Sequence, residues 1–325
     1  MGEPNNVLNA YMNNPHRIRS VLEYYTGEKL PEDCIMEEEN AFYPIRTAKG
    51  KISFRQRDRM KRIRTADFSF LLGLENQESV NLIYPWRLME LDCRAYGMQI
   101  ERLQMKNKNE KAVYEGGDDF KYRYKKNDIL EPVLNLTLYW GKKEWKSPRT
   151  LLDMTWIGKL PVNLVQLCGD YRAHIISMRY IPEEALEKMD SDLKYVLGIM
   201  KCTRSRKKYV EYIHKNREYF SRIPKTAVDV IDACTNIGNI RKYLKFTVNS
   251  ENVKEADMCK AVDDIEKYAK KQGVKQGEKQ GVKQGEMLMA SLMSRLLEDG
   301  RTEDAKLAAG DTAARKLLYR EYGIN

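Results

Sequence analysis

The clearest pattern of hydrophobic and polar positions is the alternation over residues 68–77, FSFLLGLENQ. Side chains of a β-strand point alternately to its two faces, so one face would carry Phe68, Phe70, Leu72 and Leu74. The other face is also largely apolar until it ends in Glu75 and Gln77. Apolar residues on both faces predict a strand in the interior of a sheet, with Glu75 and Gln77 side by side at its end.

A second alternation precedes this strand over residues 52–60, and it places Asp58 on the same face as Phe54 and Met60. If the two strands form an antiparallel hairpin that turns near residues 65–67, residue numbers that sum to about 133 lie opposite each other, so Asp58 faces Glu75. Opposed side chains lie roughly 5 Å apart at the β-carbon, which lets two carboxylates share one divalent cation. A buried carboxylate is costly without compensation, so the pair predicts a metal site.

The rest of the chain predicts helices interleaved with strands. Asn14, Pro15 and Gly27 are typical of the start and end of a helix, whereas residues 1–12 are expected to be frayed. Further segments are assigned by their periodicity: a helix over 86–105, strands over 133–140 and 173–180, an amphipathic helix over about 183–200, and helical segments over 224–246 and 252–270. This order predicts an α/β fold with a mixed sheet flanked by helices.

The C-terminal part contains a four-residue glycine repeat, GVKQGEKQGVKQGE, in a segment of low helix propensity. We interpret it as a linker or a weak helix. The apolar stripe of Leu288, Leu292 and Leu296 that follows is too narrow to close a core alone, so we expect the preceding domain or the same stripe of a second copy to cover it. Because the linker-like repeat would let the tail move, we favour the second copy, which predicts a homo-oligomer formed largely through residues 286–322. The predicted organisation is a core over 1–222, a helical segment over 223–271, the repeat over 272–286 and a small helical tail over 287–325.

The composition of the chain indicates which class of molecule the protein binds. The chain has 325 residues, a formal net charge of +10 and six cysteines without CxxC spacing, which indicates reduced thiols and no zinc site. The excess of basic over acidic residues favours a polyanionic binding partner. The chain has neither a run of about eighteen apolar residues nor a signal-peptide core, so we expect a cytoplasmic protein with no membrane partner.

Two groups of cations are candidates for phosphate contact. Residues 201–222 interleave basic residues, among them Arg204, Arg206, Lys207 and Lys208, with Tyr and Phe, a composition that suits nucleic acid. The alternative, which the pattern slightly favours, is a surface helix whose cations face water. Arg87, one turn into the helix after the Glu75 strand, is equally compatible with phosphate contact and with simple solvation.

Several blocks carry a resemblance to a known family: RD at 57–58, LLGLENQ, YPWRLMELDCRAYGMQI, EPVLNLTLYWGKKEWKSPRTLLDM, DYRAHIISMRYI, ADMCKAVDDI and LLYREYGIN. Together they resemble the recombination-promoting nuclease and putative transposase family of the PD-(D/E)XK nuclease superfamily. The resemblance implies a restriction-endonuclease-like fold and a DNA substrate, with Asp58 and Glu75 binding Mg²⁺ or Mn²⁺ and Gln77 at the position of the family's lysine. In the first helix Ser20 stands where an acidic residue is expected, with Glu23 one turn away.

Two functions therefore follow as expectations. The first is a divalent-metal-dependent DNA endonuclease, linked to recombination or transposition, whose catalytic residues are Asp58, Glu75 and Gln77. The second is a catalytically weak or inactive protein that keeps the nuclease fold and binds nucleic acid or oligomerises. The serine at position 20 and the glutamine at position 77 leave both open.

Overall fold

A computed structural model describes residues 3–46, 52–110, 113–114, 117–203, 205–235 and 238–324. The helices span Glu3–Tyr11 (α1), Pro15–Thr26 (α2), Tyr84–Asn109 (α3), Gly117–Tyr122 (α4), Val162–Val165 (α5), Glu183–Glu187 (α6), Leu193–Lys201 (α7), Arg206–Lys215 (α8), Arg217–Phe220 (α9), Lys225–Thr235 (α10), Gly238–Arg241 (α11), Met258–Glu298 (α12), Thr302–Gly310 (α13) and Thr312–Glu321 (α14). Turns of 3-10 helix occur at Leu152–Met154, Ile157–Lys159 and Met178–Tyr180.

The strands form one five-stranded sheet and two small ones. They span Ile35–Glu38 (β1), Phe42–Arg46 (β2), Ile52–Gln56 (β3), Arg59–Arg64 (β4), Ser69–Gln77 (β5), Val133–Tyr139 (β6), Ile175–Ser177 (β7), Ile223–Pro224 (β8), Phe246–Val248 (β9) and Lys254–Ala256 (β10). The large sheet has the order β1-β4-β5-β6-β7, antiparallel from β1 to β5 and parallel from β5 to β7. The predicted mixed sheet flanked by helices is confirmed, with β5 at its centre.

The segment predicted as one strand over 52–60 is divided between two sheets. β3 pairs with β2 in a separate two-stranded sheet, and β4 begins at Arg59 and pairs with β5. The predicted strand is interrupted at Arg57 because the chain changes its pairing partner there. The backbone N–H of Arg57 donates to the carbonyl of Ala41 instead of to β5. The predicted register nevertheless holds, since Arg59 lies opposite Leu74.

Helices cover both faces of the sheet at β5. On one face, α3 packs Leu88, Leu91 and Ala95, which lie at helical spacing, into a core that includes Leu71. On the other face, α1 contacts β5, and α10 packs against α1. The expectation that residues 1–12 are frayed is wrong, because Leu8, Tyr11 and Met12 lie at helical spacing and are all buried.

The start and end of α2 agree with the sequence prediction. The Asn14 side chain accepts hydrogen bonds from the backbone N–H groups of His16 and Arg17, and Pro15 is the first helical residue. The helix ends at Gly27, whose φ of 76° is accessible to glycine at little cost. These signals are local in sequence, which is why the pattern alone could locate them.

Other boundaries differ from the expectation. The predicted strand over 173–180 is a strand only over β7 and continues as a 3-10 turn. The predicted helix over 183–200 is interrupted between α6 and α7, where Asp192 pairs with Arg17 at 2.6 Å. β8, β9 and β10 form a three-stranded sheet within a region predicted as helical: β9 and β10 form a short hairpin, and β10 also pairs with the distant β8.

The chain divides into two compact units, Met1–Cys259 and Lys260–Asn325. The glycine repeat lies within α12, a 41-residue helix. In the C-terminal unit, α12 contributes Leu292 and Leu296 to a small core that also contains Ala305, Ala308 and Leu318 of the following helices. The premise that this stripe cannot be covered within the tail is therefore wrong. No helix in the described part of the chain is both long and apolar enough to cross a membrane.

Candidate active site at the end of strand β5

The register between β4 and β5 brings Asp58 and Glu75 together, as the alternation predicted. Asp58 lies in the bend just before β4, and its backbone N–H donates to Glu75 Oε1 at 3.4 Å. In return, the backbone N–H of Asn76 donates to Asp58 Oδ2 at 2.8 Å. Each contact joins a backbone N–H of one segment to a carboxylate of the other, and together they hold both carboxylates beside each other at the end of the β4–β5 pairing.

Glu75 is fully buried, and its environment opposes its ionisation. Burial, reinforced by the charge of Asp58, raises the pKa of Glu75 to about 7, although Arg57 and Arg87 act in the opposite direction. Its Oε2 atom is buried and has no hydrogen-bond partner. Arg87 Nη2 lies 3.5 Å from that oxygen, an ion-pair distance without hydrogen-bond geometry. The carboxylate therefore retains unused capacity to bind a cation.

A buried ion pair lies behind the two carboxylates. Arg57, which has no exposed surface, contacts Asp92 of α3, and Asp92 also accepts from the hydroxyl of Tyr171. A Cβ atom at Gly73 would collide with the Arg57 guanidinium, so only glycine leaves room for this side chain against β5. Sequence analysis missed this pair, although a glycine in the middle of an apolar strand and an aspartate on the apolar side of a helix were its two signals.

Tyr84 and Thr137 form the floor of the site. Thr137 lies beside Glu75 in the parallel pairing of β5 and β6, and its Oγ1 is 3.0 Å from the Tyr84 hydroxyl. Burial raises the pKa of Tyr84 well above its usual value, and the charge of Glu75 adds to this effect. Tyr84 is therefore a neutral hydroxyl at neutral pH, with Thr137 as its hydrogen-bond partner.

Gln77 and Arg87 form the rim. Gln77 is half-buried on the same face as Glu75, and its side-chain amide has no hydrogen-bond partner among the described residues. The Arg87 side chain is 39% exposed. An amide and a guanidinium next to two carboxylates can contact a polar ligand that enters from solvent.

Among the described residues, Asp58 and Glu75 are not joined by a third acidic residue. In the ranges that the structure describes, no group of three or more His, Cys, Asp or Glu side chains is arranged to hold a metal ion. Ser20 is buried in α2. The Glu23 carboxylate forms an ion pair with Lys29 at 2.9 Å and accepts a hydrogen bond from the backbone N–H of Leu30 at 3.0 Å. Glu23 therefore stabilises the connection after α2.

The cations predicted for nucleic-acid contact lie on the helical side of the first unit. Arg206, Lys207 and Lys208 are exposed in the first turn of α8, and Arg204 lies outside the described residues. The aromatic residues that alternate with these cations in the sequence are not exposed beside them. Phe220 is fully buried and Tyr219 stacks on Tyr195 at 4.5 Å, so the predicted base-stacking surface is absent from this part of the structure.

The arrangement at the end of β5 thus consists of two adjacent carboxylates, a half-buried amide and a partly exposed guanidinium. No protein-family model, curated protein or solved structure matches the chain.

Proposed function

We propose that this protein is a divalent-metal-dependent DNA endonuclease with a restriction-endonuclease-like core. The observation that carries the proposal is the buried Oε2 of Glu75, which has no hydrogen-bond partner and lies beside Asp58. A buried carboxylate next to a second carboxylate is costly to ionise unless a cation is shared between them. A link to recombination or transposition rests on the family resemblance.

The donor set fits Mg²⁺ or Mn²⁺. Both ions prefer oxygen ligands, and Mg²⁺ is commonly held by one or two carboxylates, with water and substrate phosphate completing its shell. Asp58 and Glu75 would supply the carboxylates. The adjacent Gln77 amide and the exposed part of Arg87 leave one side of the pair accessible from solvent.

Each residue then has a role in phosphodiester hydrolysis. A bound divalent cation lowers the pKa of a water ligand and stabilises charge that develops on the phosphate. Gln77 can orient the attacking water by hydrogen bonding, but an amide cannot take its proton, so the base is another group, such as the substrate phosphate. Arg87 can donate to a non-bridging phosphate oxygen from its position 3.5 Å from Glu75.

The proposal is tested by nuclease assays on plasmid and linear DNA with Mg²⁺, Mn²⁺ or EDTA. We expect cleavage only with metal, and we expect Asp58→Ala and Glu75→Gln to abolish it while far-ultraviolet circular dichroism stays unchanged. Glu101→Gln, the same chemical change at an exposed position of α3, is the matched control and should cleave normally. Metal-independent cleavage, or cleavage by Glu75→Gln at the wild-type rate, would contradict the assignment.

The second candidate is a nucleic-acid-binding protein that retains the fold with little or no catalysis. It is favoured by the two-carboxylate site, by Ser20 and by the absence of a lysine at position 77. DNA binding by the wild-type protein without cleavage under any metal condition would select this alternative.

A further inference from the structure

The loop that follows β6 is strongly basic and its charges are not neutralised. Residues 141–149, here called the basic loop, contain four exposed cations and one exposed acid, in the order Lys142, Lys143, Glu144, Lys146 and Arg149. No carboxylate of the described residues forms an ion pair with any of the four cations. The cations therefore do not stabilise the fold through salt bridges.

The cations of β4 provide the contrast. Each pairs with a carboxylate of a neighbouring segment: Arg59 and Lys61 with Glu38, Arg62 with Glu39 and Glu131, and Arg64 with Glu37. Positive charge on the sheet is thus compensated within the protein, whereas the charge of the basic loop is left for an external anion.

The basic loop is held rigidly although its cations are exposed. Trp145 is buried in the middle of it and packs on Tyr84 and Tyr139, with ring centroids 5.3 and 5.2 Å apart. Ser147 Oγ donates to the carbonyl of Asn81 at 3.1 Å, which ties the loop to the connection between β5 and α3. A fixed backbone reduces the conformational entropy that binding would otherwise cost.

The basic loop lies at the same end of the sheet as the two carboxylates. The backbone N–H of Trp140, just before the loop, donates to the carbonyl of Gln77 at 2.7 Å. Tyr84 connects the two regions, because its ring contacts Trp145 and its hydroxyl reaches Thr137, the strand neighbour of Glu75. Ligands of open α/β sheets bind at the carboxyl ends of the parallel strands, which is where both features lie.

We propose that the basic loop binds the phosphate backbone of duplex DNA next to the carboxylate pair. The identity of the polyanion rests on the proposed endonuclease function, whereas the position of the contact rests on the loop. Lysines act as point charges toward phosphate and do not read bases, so the contact is sequence-independent. The loop positions the duplex, and the residues around Glu75 act on one of its phosphodiester bonds.

The test measures binding of the full chain to a labelled DNA duplex in EDTA over a range of salt concentrations. The variant Lys142→Gln/Lys143→Gln/Lys146→Gln is compared with Lys275→Gln/Lys279→Gln/Lys283→Gln, three exposed lysines of α12, because both change the net charge equally. Each lost phosphate contact lowers the slope of log K against log salt by about 0.9. We expect the slope to fall by about 2 to 3 in the loop variant and to stay unchanged in the α12 variant.

The outcomes separate this inference from the endonuclease proposal, because binding is measured without metal or cleavage. Salt-dependent binding that weakens only in the loop variant supports the loop even if the wild type never cleaves DNA. An unchanged slope in the loop variant, an equal loss in both variants, or no DNA binding by the wild type overturns it. Tighter loop-dependent binding to an RNA duplex of the same sequence overturns the assignment to DNA. Unchanged circular dichroism and thermal unfolding of each variant exclude misfolding as the cause.

Discussion

Glu75 is the residue at which stability and function oppose each other. Its pKa is raised from 4.5 to about 7, so at neutral pH and above the metal-free fold contains a buried carboxylate that would be more stable protonated. The folded protein keeps this proton between about pH 4.5 and 7 while the unfolded chain has lost it. The contribution of Glu75 to stability therefore falls as pH rises through that window.

This linkage predicts the behaviour of Glu75→Gln, which keeps the shape and removes the charge. In EDTA at pH 8, we expect the variant to be more stable than the wild type by roughly 3 kcal/mol, because the pKa values of 4.5 and about 7 differ by about 2.5 and one pKa unit corresponds to about 1.4 kcal/mol. At pH 5 the difference should fall to less than about 1 kcal/mol. Urea unfolding at the two pH values measures it, with Glu101→Gln as the control. A gain that is the same at both pH values would show that Glu75 ionisation is not responsible.

Residues near each other in sequence were predictable at this site, and distant ones were not. Asp58 opposite Glu75 follows from strand alternation and one turn, where the N–H of Thr65 donates to the carbonyl of Phe68 at 2.9 Å. Arg57 against Asp92 depends on where the strand breaks and on the space above Gly73, neither of which the periodicity specifies. The hydrogen bond between Tyr84 and Thr137 likewise forms only in the tertiary fold, so the sequence pattern does not predict it.

At the scale of elements, α8 shows why a charge pattern alone is ambiguous. Its first turn carries Arg206, Lys207 and Lys208 at the end of the helix where the macrodipole disfavours cations. The surface-helix alternative expects Val210, Ile213 and Phe220 to face the core; Ile213 and Phe220 are buried, whereas Tyr209 is buried in place of the half-buried Val210. α8 packs on α7, and α7 packs on α10, so this basic turn belongs to the helical layers and not to the edge of the sheet.

The DNA contact predicted for this helix can be tested separately from the basic loop. Neutralising Arg204 together with Arg206, Lys207 and Lys208 should flatten the salt dependence of DNA binding, by up to about 0.9 per lost phosphate contact. Fluorescence anisotropy of a labelled duplex in EDTA measures the slope. The control is the α12 triple variant combined with Lys271→Gln, which also removes four positive charges, all of them from exposed lysines. An unchanged slope would identify α8 as a solvated surface helix.

Element types were more predictable than element boundaries. The β5 strand was found because it is long and apolar on both faces, and the β6 strand because it is rich in Val, Leu, Thr and Tyr. β8, β9 and β10 were not, because two- and three-residue strands carry no periodicity and exist only through their pairing. The glycine repeat is helical in the structure, and a Cβ at Gly273, Gly277, Gly281 or Gly285 would meet no other atom, so packing does not require these glycines.

At the scale of the whole molecule, the C-terminal unit buries the apolar stripe of α12 in a core of its own. Leu292 and Leu296 are fully buried by residues of their own unit, which removes the reason for expecting a second copy to cover this stripe. The homo-oligomer through residues 286–322 stays a prediction. Light scattering of the full chain at tens of micromolar, about the range of weak self-association, measures it directly.

A truncation after Lys271 extends that test. It retains the whole first unit, so we expect a folded protein with an intact carboxylate pair, shown by cooperative unfolding and by metal-dependent cleavage. If the tail is the assembly element, the truncated protein should be monomeric while the full chain is oligomeric. A monomeric full chain, or a truncated protein that still self-associates, would refute assembly through the tail.

The reciprocal contacts between Asp58 and Glu75 close a loop of only 17 residues along the chain. The chain entropy lost on closing a loop grows with its length, and the Tyr84–Thr137 contact beneath the site spans 53 residues. Most of the segment between the two carboxylates is the β4–β5 hairpin itself. The carboxylate pair is therefore assembled within a short stretch of the chain, and the floor and the basic loop join it through longer closures.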